Sequence, residues 1–288
     1  MNDDEPCMNM HEIAGRTPSQ ETCACGRTDS SPQLTYVYAI GRIQFRFPTV
    51  DIEKELAQVI SHSDSTGLTD QQAVHQVLSK PENRYIARRL CWVMSIEGLD
   101  TYLILPRDTA DLGLLIESVR MGPRPTDLDV VIGMRGPIAP PDMCNGLQIP
   151  IVLADQIYSF DANELIKAIP RPDTIPPDYF AAAAEECFYR IMQLADNAGA
   201  TDEHRALNYL AVRYAETYAT VARAHGRGEA LSGVDVRPSR LSGTRRVVDV
   251  IFSLTNRQTD VTDKRFVRVD VTEEFPFLIS KMQPYYDR

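Results

Sequence analysis

The segment from Tyr36 to Phe47 constrains the fold most strongly, because its side-chain pattern changes halfway along. In its second half, Ile43, Phe45 and Phe47 alternate with polar side chains, which is the pattern of a strand with one buried face. Its first half is apolar on both faces, which indicates a strand covered from both sides. Gly41 lies at the change and is typical of a bulge or of a close approach by another part of the backbone.

Helical and strand patterns alternate along the rest of the chain. Amphipathic helices are predicted near residues 49–61 and 68–81, and Thr69 is a candidate N-cap of the second. Two apolar β-runs flank the hairpin signal "EGLD". Two long helices are predicted in the middle of the chain, at 176–199 and 201–226, and strands dominate the remainder. We therefore expect an α+β fold with a mixed or antiparallel sheet packed against helices, and a β-rich C-terminal part.

Changes in composition predict three parts. Residues 1–33 are polar and poor in aromatic side chains, so we expect a mostly disordered leader that carries a cysteine motif. Residues 34–170 form an α/β N-terminal part, and the sequence "RPDTIPP" after it indicates a boundary. Residues 176–288 hold the helical pair and the β-rich part, which we expect to pack as one unit with the preceding part.

The charge distribution excludes some classes of partner. The net charge is −10, and Lys and Arg are dispersed, so neither nucleic acid nor a membrane surface is an expected partner. No apolar run is long enough to span a bilayer, and the acidic, polar N-terminus does not resemble a signal peptide. These features predict a cytoplasmic protein.

The cysteines do not predict a disulfide framework, because a long chain without a secretory signal rarely has one. Cys91 and Cys187 lie in apolar segments, so we interpret them as small buried hydrophobic side chains. Cys144 lies in a loop rich in proline and glycine, "GMRGPIAPPDMCNG", and such a loop can either carry binding function or be a constrained connection.

Cys23 and Cys25 raise the question of a metal. Two thiolates at this spacing can serve as ligands of one tetrahedral zinc ion. The remaining ligands would come from Cys7, from Cys144 or from a second copy of the chain, and in the last case zinc would hold a dimer together. The alternative is a pair of free thiols in a flexible leader.

No standard catalytic motif is present in the sequence. Asp127 and Asp129 share one face of a predicted strand, as an acid/base or metal pair would, but the pattern favours a solvated strand edge.

Several long blocks resemble a known family. The block "YVYAIGRIQFRFPTVDIEKELAQ" is similar to the opening of the C-terminal domain of cyanobactin maturation proteases, the subtilisin-like enzymes of patellamide-type pathways. Further blocks continue the resemblance in order, at 68–108, 126–152 and 233–288. The family domain has no established catalytic activity. Relatives often carry a short cysteine motif ahead of the tyrosine-rich strand, and Cys23 and Cys25 match it.

The resemblance implies a role in the biosynthesis of a ribosomally synthesised, post-translationally modified peptide. Since the sequence shows no protease domain, we expect a stand-alone, non-catalytic protein that binds the precursor peptide and assists a partner modifying enzyme of the same pathway. It also implies a structural zinc ion at Cys23 and Cys25 in a homodimer. The competing hypotheses are an enzyme that acts on the precursor, such as a cyclase or a zinc-dependent hydrolase, and a purely structural partner.

Two modes of peptide binding are open. A peptide could add a strand to a sheet edge at the first strand, where Tyr38, Ile40, Arg42 and Arg46 would line one face and the arginines would pair with peptide carboxylates. A peptide could instead lay an amphipathic segment into an apolar groove.

Overall fold

The α+β fold is confirmed by a computed structural model, which describes residues 35–193 and 196–286. Within these residues there are eight α-helices and nine strands, and the strands form two sheets. Contacts group Leu34–Arg288 into one compact unit. No helix in the described part of the chain is long and apolar enough to cross a membrane.

The first sheet closes on itself as a five-stranded barrel in the order β1–β2–β3–β5–β4. Only the β3–β5 pair is parallel, so the predicted mixed sheet is confirmed. The hairpin at "EGLD" is also confirmed, with Glu97 and Gly98 at positive φ in its turn. The strands are β1 (Tyr36–Arg46), β2 (Cys91–Ile96), β3 (Leu99–Pro106), β4 (Asp127–Ile138) and β5 (Pro150–Asp161).

Strand β1 closes the barrel because its two halves have different partners. Residues 36–41 pair with β4, and residues 42–46 pair with β2. At the changeover, a Cβ atom on Gly41 would lie 2.4 Å from the carbonyl oxygen of Ser95. The close backbone approach that the sequence predicts at Gly41 therefore exists, and it excludes a side chain there.

Four helices cover one face of the barrel strands. They are α1 (Val50–Ser61), α2 (Asp70–Ser79), α3 (Arg84–Arg89) and α4 (Leu112–Ser118). Thr69 forms the predicted cap of α2, and its side chain and that of Gln72 satisfy each other's backbone N–H groups. Apolar side chains of these helices pack with Trp92, Met94 and other side chains of one strand face.

The remaining helices lie between the barrel and a second, antiparallel sheet. The helices are α5 (Ala162–Ala168), α6 (Pro177–Met192), α7 (Asp202–Arg213) and α8 (Ala215–Gly226). The sheet has the order β6–β7–β8–β9 and contains β6 (Glu229–Pro238), β7 (Val247–Asn256), β8 (Thr262–Asp270) and β9 (Phe277–Pro284). One continuous apolar cluster joins β1 and β4 to α5–α8 and to the inner face of this sheet.

The second long helix predicted from the sequence is interrupted. It ends at Arg213 and restarts at Ala215, with Tyr214 in a non-helical conformation between them. The Tyr214 hydroxyl accepts a hydrogen bond of 3.0 Å from the backbone N–H of Met282 in β9. The break lets α7 pack on β1 and β7 while α8 packs on α6 and β6.

The interpretation of Cys91 and Cys144 is corrected by the structure. Their sulfur atoms form a disulfide, with the Cα atoms 5.8 Å apart. Cys91 begins β2 and Cys144 lies in the loop after β4, so only the folded barrel brings them together. Cys187 is a free, buried cysteine, as predicted.

Candidate functional site

An apolar groove of about 380 Å³ opens at the end of the barrel where β2 begins and β3 ends. The end of α3 forms one wall, and the loop 139–149 forms the other. Trp92 and Ile104 lie at its base, and Leu112 of α4 lines it as well. Such a concave, mostly apolar surface is typical of a ligand-binding site.

The loop wall of the groove is fixed by covalent and conformational constraints. The disulfide ties Cys144 to the start of β2, and Met143 packs against the small apolar cluster around it. Cys144, Asn145 and Gly146 all have positive φ angles, which glycine and asparagine adopt readily but which are uncommon for a residue such as Cys144. The loop is therefore a rigid wall, which lowers the entropy cost of binding a ligand there.

The positive charge at the groove comes from the end of α3, and Asp142 in the loop supplies a negative charge. Arg89 is neutralised by Asp51 and Glu55 of α1, at 3.3 and 2.8 Å. Arg88 is exposed at the groove, and in the part of the chain that the structure describes no ion pair involves it. An apolar base beside an unpaired guanidinium suits an apolar ligand that also carries a carboxylate.

The lining of the groove does not resemble a catalytic site. Its charged members are Arg88, Arg89 and Asp142, and the cysteines that line it are joined as a disulfide. No lining residue pairs a nucleophile with a base. The arrangement can bind and orient a ligand, and Asp142 is the one carboxylate among the residues that line it.

The four residues predicted to bind peptide do not form one exposed surface. The side chains of Tyr38 and Ile40 are both 1% exposed and belong to the core shared with α6, α7 and the second sheet. Arg42 donates a hydrogen bond to the carbonyl oxygen of Pro125. Arg46 pairs with Asp100 at 2.9 Å.

The predicted addition of a strand to β1 would have to compete with the chain itself at Tyr38. The side of β1 opposite β4 at Tyr38 is occupied by the connection between α6 and α7. The backbone N–H of Tyr38 donates to the carbonyl oxygen of Gly199 at 2.9 Å, and Asn208 of α7 donates to the Tyr38 carbonyl oxygen at 2.7 Å. The chain itself therefore takes the place that an added peptide strand would need.

Arg46 is the one predicted residue that lies beside the loop 139–149. It lines a second, more polar hollow of about 500 Å³ together with Asp100, Asn145 and Gly146. Cys144 lines both hollows, so the loop separates the apolar groove from this polar one.

The predicted zinc ligands Cys23 and Cys25 lie outside the described residues. Among the residues that are described, no group of His, Cys, Asp or Glu could hold a metal ion. Cys144 is not available as a further ligand, because its sulfur is bonded to that of Cys91.

The sequence pointed to one wall of the groove and missed the other. The segment with Met143 and Cys144 stood out by its proline and glycine content. Arg88 and Trp92 gave no such signal, since an arginine in a short helix and a tryptophan in an apolar strand have ordinary structural explanations. Their position in a groove follows only from the packing of α3 on the barrel.

Comparisons with known proteins agree with this architecture. The family model described as "PatG Domain" matches residues 36–230, and the one described as "PatG C-terminal" matches residues 176–285. The chain therefore belongs to the PatG domain family, which is the C-terminal region of PatG-type cyanobactin proteases. This places it in a family of cyanobactin biosynthesis.

A solved structure titled "PatG Domain of Unknown Function" has the same fold. It superposes with a TM-score of 0.69 at 18% sequence identity, and the match covers 87% of this chain and 98% of that one. No curated protein matches the sequence.

Proposed function

We propose that this protein binds the precursor peptide of a peptide-modification pathway in the apolar groove, and that it thereby assists a partner modifying enzyme. The family supplies the pathway context. The groove supplies the binding surface, because its apolar base is bordered by a rigid loop and by the exposed Arg88. The ligand expected from this chemistry is an apolar peptide segment with an acidic side chain next to it.

The observation that carries the proposal is the position of Arg88. In an acidic protein of net charge −10, this guanidinium has no carboxylate partner within the described residues and borders the apolar groove. Arg46, in the polar hollow across the loop, is paired with Asp100, so it would bind a peptide carboxylate only by exchanging that partner.

The chain provides its own reporter for this site. It has a single tryptophan, Trp92, which lies at the base of the groove. We expect the synthetic precursor peptide encoded beside the gene to change the Trp92 emission as it binds, and titration would give the affinity. Unchanged emission together with no heat in calorimetry would contradict the proposal.

A pair of charge reversals tests the role of Arg88. Arg88→Glu should weaken peptide binding by about tenfold, which corresponds to about 1.4 kcal/mol. Arg84→Glu is the matched control, because Arg84 is exposed on the same helix but does not line the groove. Equal losses in both variants would show a general electrostatic effect instead of contact in the groove.

Mass spectra of the peptide after incubation separate binding from catalysis. We expect an unchanged precursor mass, since the groove lacks a nucleophile paired with a base. Cyclisation or cleavage by the purified protein alone would favour the hypothesis of an enzyme. Binding to a pathway enzyme without binding to the peptide would favour a purely structural partner.

We further propose that Cys23 and Cys25 hold a structural zinc ion between two copies of the chain. Two chains would supply four thiolates, which is a complete tetrahedral structural site. Native mass spectrometry should show a dimer with one zinc ion, and Cys23→Ser with Cys25→Ser should give a metal-free monomer. A metal-free wild-type monomer would contradict the zinc proposal, but it would not affect the proposal that the groove binds a peptide.

A further inference from the structure

A third concave site lies between the barrel and the C-terminal sheet. It is a crevice of about 350 Å³ formed by β1, β4, β5, α7 and the connection between β8 and β9. Ile132 of β4, Tyr209 and Arg213 of α7 and Phe275 of the connection are among its lining residues. None of these four residues lines the apolar groove.

Arg213 is an exposed side chain that contacts two tyrosines at this crevice. Its guanidinium stacks on the ring of Tyr158, with the central carbon 5.3 Å from the ring centroid. It also interacts with the hydroxyl groups of Tyr38 and Tyr158, which are 2.9 Å apart from each other. Because the stacking on Tyr158 restricts this side chain, a ligand that binds it pays a lower entropy cost.

Arg213 has no counter-ion within the described residues. Its polar partners there are the two tyrosine hydroxyls, and it forms no ion pair. Other arginines of the same region are paired: Arg223 with Glu216, and Arg227 with Glu229. A planar guanidinium with unused N–H groups matches a carboxylate, which can bind it through two parallel hydrogen bonds.

The apolar lining restricts where that carboxylate comes from. The crevice places the half-exposed ring of Phe275 and the almost fully buried Ile132 in the same small volume as Arg213. A ligand must therefore bring an apolar group and a carboxylate close together. In an extended peptide, neighbouring side chains point to opposite sides, so an internal acidic residue and its apolar neighbour would not both enter. A C-terminal residue presents its carboxylate and its side chain from one Cα atom.

We infer that this crevice binds the free C-terminus of a peptide whose last residue is aromatic or aliphatic, with the terminal carboxylate on Arg213. The inference shares with the proposed function the idea that the ligand is a peptide, but it concerns a separate site. It adds a second contact to that function: the crevice would bind the C-terminus of a peptide, while the groove binds a separate apolar segment.

Binding of three short labelled peptides to the full-length protein tests the inference. The probes are Gly-Ala-Gly-Ala-Phe with a free acid, the same peptide as its C-terminal amide, and Gly-Ala-Asp-Ala-Phe amide. Fluorescence anisotropy should show the free acid binding at least tenfold more tightly than either amide. An amide that binds as tightly as the free acid would overturn the inference, and so would the aspartate-containing amide if it matched the free acid.

Substitutions locate the binding. Arg213→Met should abolish the preference for the free acid, and Arg213→Lys should retain only part of it, since lysine lacks the planar pair of donors. Arg223→Met on α8 is the control and should leave the preference intact. Thermal melts followed by circular dichroism confirm that each variant is folded. A preference that survives in folded Arg213→Met would also overturn the inference.

The two sites can fail independently. Arg88→Glu should weaken binding of the precursor but not of the short free-acid probe, and Trp92 emission reports the groove alone. If the precursor does not bind but the preference for the free acid is present, the proposed function is contradicted and the inference about the crevice is supported. If the precursor binds but the free acid is not preferred, the inference about the crevice is overturned and the proposed function is supported.

Discussion

At the scale of single residues, two carboxyl groups meet where the chain folds back on the barrel. Glu274, in the connection between β8 and β9, lies beside Asp155 of β5, which pairs with Arg107 at 2.7 Å, and each of the two carboxyl groups has one buried oxygen without a hydrogen-bond partner among the described residues. Burial raises the pKa of Glu274 to about 7, and the nearby Asp155 acts in the same direction, while Arg107 and Arg205 oppose the shift. Glu274 therefore retains a proton when the pH is below about 7.

This pair predicts a pH dependence of stability that Glu274→Gln removes. The folded chain retains the Glu274 proton up to about pH 7, whereas the unfolded chain loses it near pH 4.5. The proton's contribution to stability is thus full below about pH 4 and is lost as the pH rises through about 7. We expect the thermal midpoint of the wild type to fall over this range relative to that of Glu274→Gln.

Glu273→Gln is the matched control for this prediction, because Glu273 is the exposed neighbour of Glu274. It should shift the midpoint without changing the shape of the pH profile. Parallel profiles for the wild type and Glu274→Gln would contradict the prediction.

Buried acids also show where sequence reasoning fails for single residues. The pattern at Asp127 and Asp129 favoured a solvated edge, yet the side chain of Asp129 is 1% exposed. It accepts hydrogen bonds from the backbone N–H of Ile43 and from the side chains of Ser159 and Arg120, at 2.7, 2.5 and 3.0 Å. These donors come from three other segments of the chain, so the burial of Asp129 cannot be predicted from the strand pattern around it.

At the scale of elements, the connection between α6 and α7 takes the role of a strand partner for β1. Gly199 has a φ of +71° and lies directly against the backbone of Tyr38. The same connection receives a hydrogen bond of 2.8 Å from the hydroxyl of Tyr102 to the carbonyl oxygen of Ala198. The connection therefore joins the barrel to the helical layer through backbone contacts that tolerate no side chain at Gly199.

Gly199→Ala should accordingly be strongly destabilising. A Cβ atom there would lie 2.2 Å from the carbonyl oxygen of Tyr38, and the left-handed conformation adds its own strain. We expect a loss of about 3 kcal/mol in the free energy of unfolding, measured by urea denaturation.

Gly228→Ala separates the two causes. Gly228 has a similar φ of +81°, but no atom lies within 4 Å of the position that its Cβ would take. It should lose about 1 kcal/mol, from conformational strain alone. A similar loss in both variants would show that close contact with β1 is not what requires glycine at position 199.

At the scale of the whole molecule, the disulfide links parts of the barrel that are far apart in the chain. Cys91 and Cys144 are separated by 53 residues and both line the groove. Reduction should therefore lower stability and, at the same time, free the loop 139–149 that forms one wall of the binding site.

We expect a reducing agent to lower the free energy of unfolding by up to about 4 kcal/mol, as the entropy of closing a loop of this length indicates. The double variant Cys91→Ser with Cys144→Ser should be equally destabilised, and the reducing agent should have no further effect on it. A wild-type stability that does not respond to reduction would contradict a structural role for the disulfide. Peptide affinity measured on the same samples would show whether the rigid wall contributes to binding.

The sequence by itself determined the elements and the family. The α+β class, the hairpin at Glu97 and Gly98, the cap at Thr69 and the close approach at Gly41 all follow from patterns within a few residues. Long blocks from Tyr36 onward carried the family resemblance. These features depend on local side-chain spacing and local backbone conformation, which a sequence displays directly.

Only the tertiary structure decided how the sites are built. Arg213 meets Tyr38 and Tyr158, and Cys91 meets Cys144, across separations that no local pattern records. It also decided that the edge of β1 is filled by Gly199, with which an added peptide strand would have to compete. The physical reason is that these contacts arise from the closure of the barrel and the packing of α7 on it, which bring distant segments to one place.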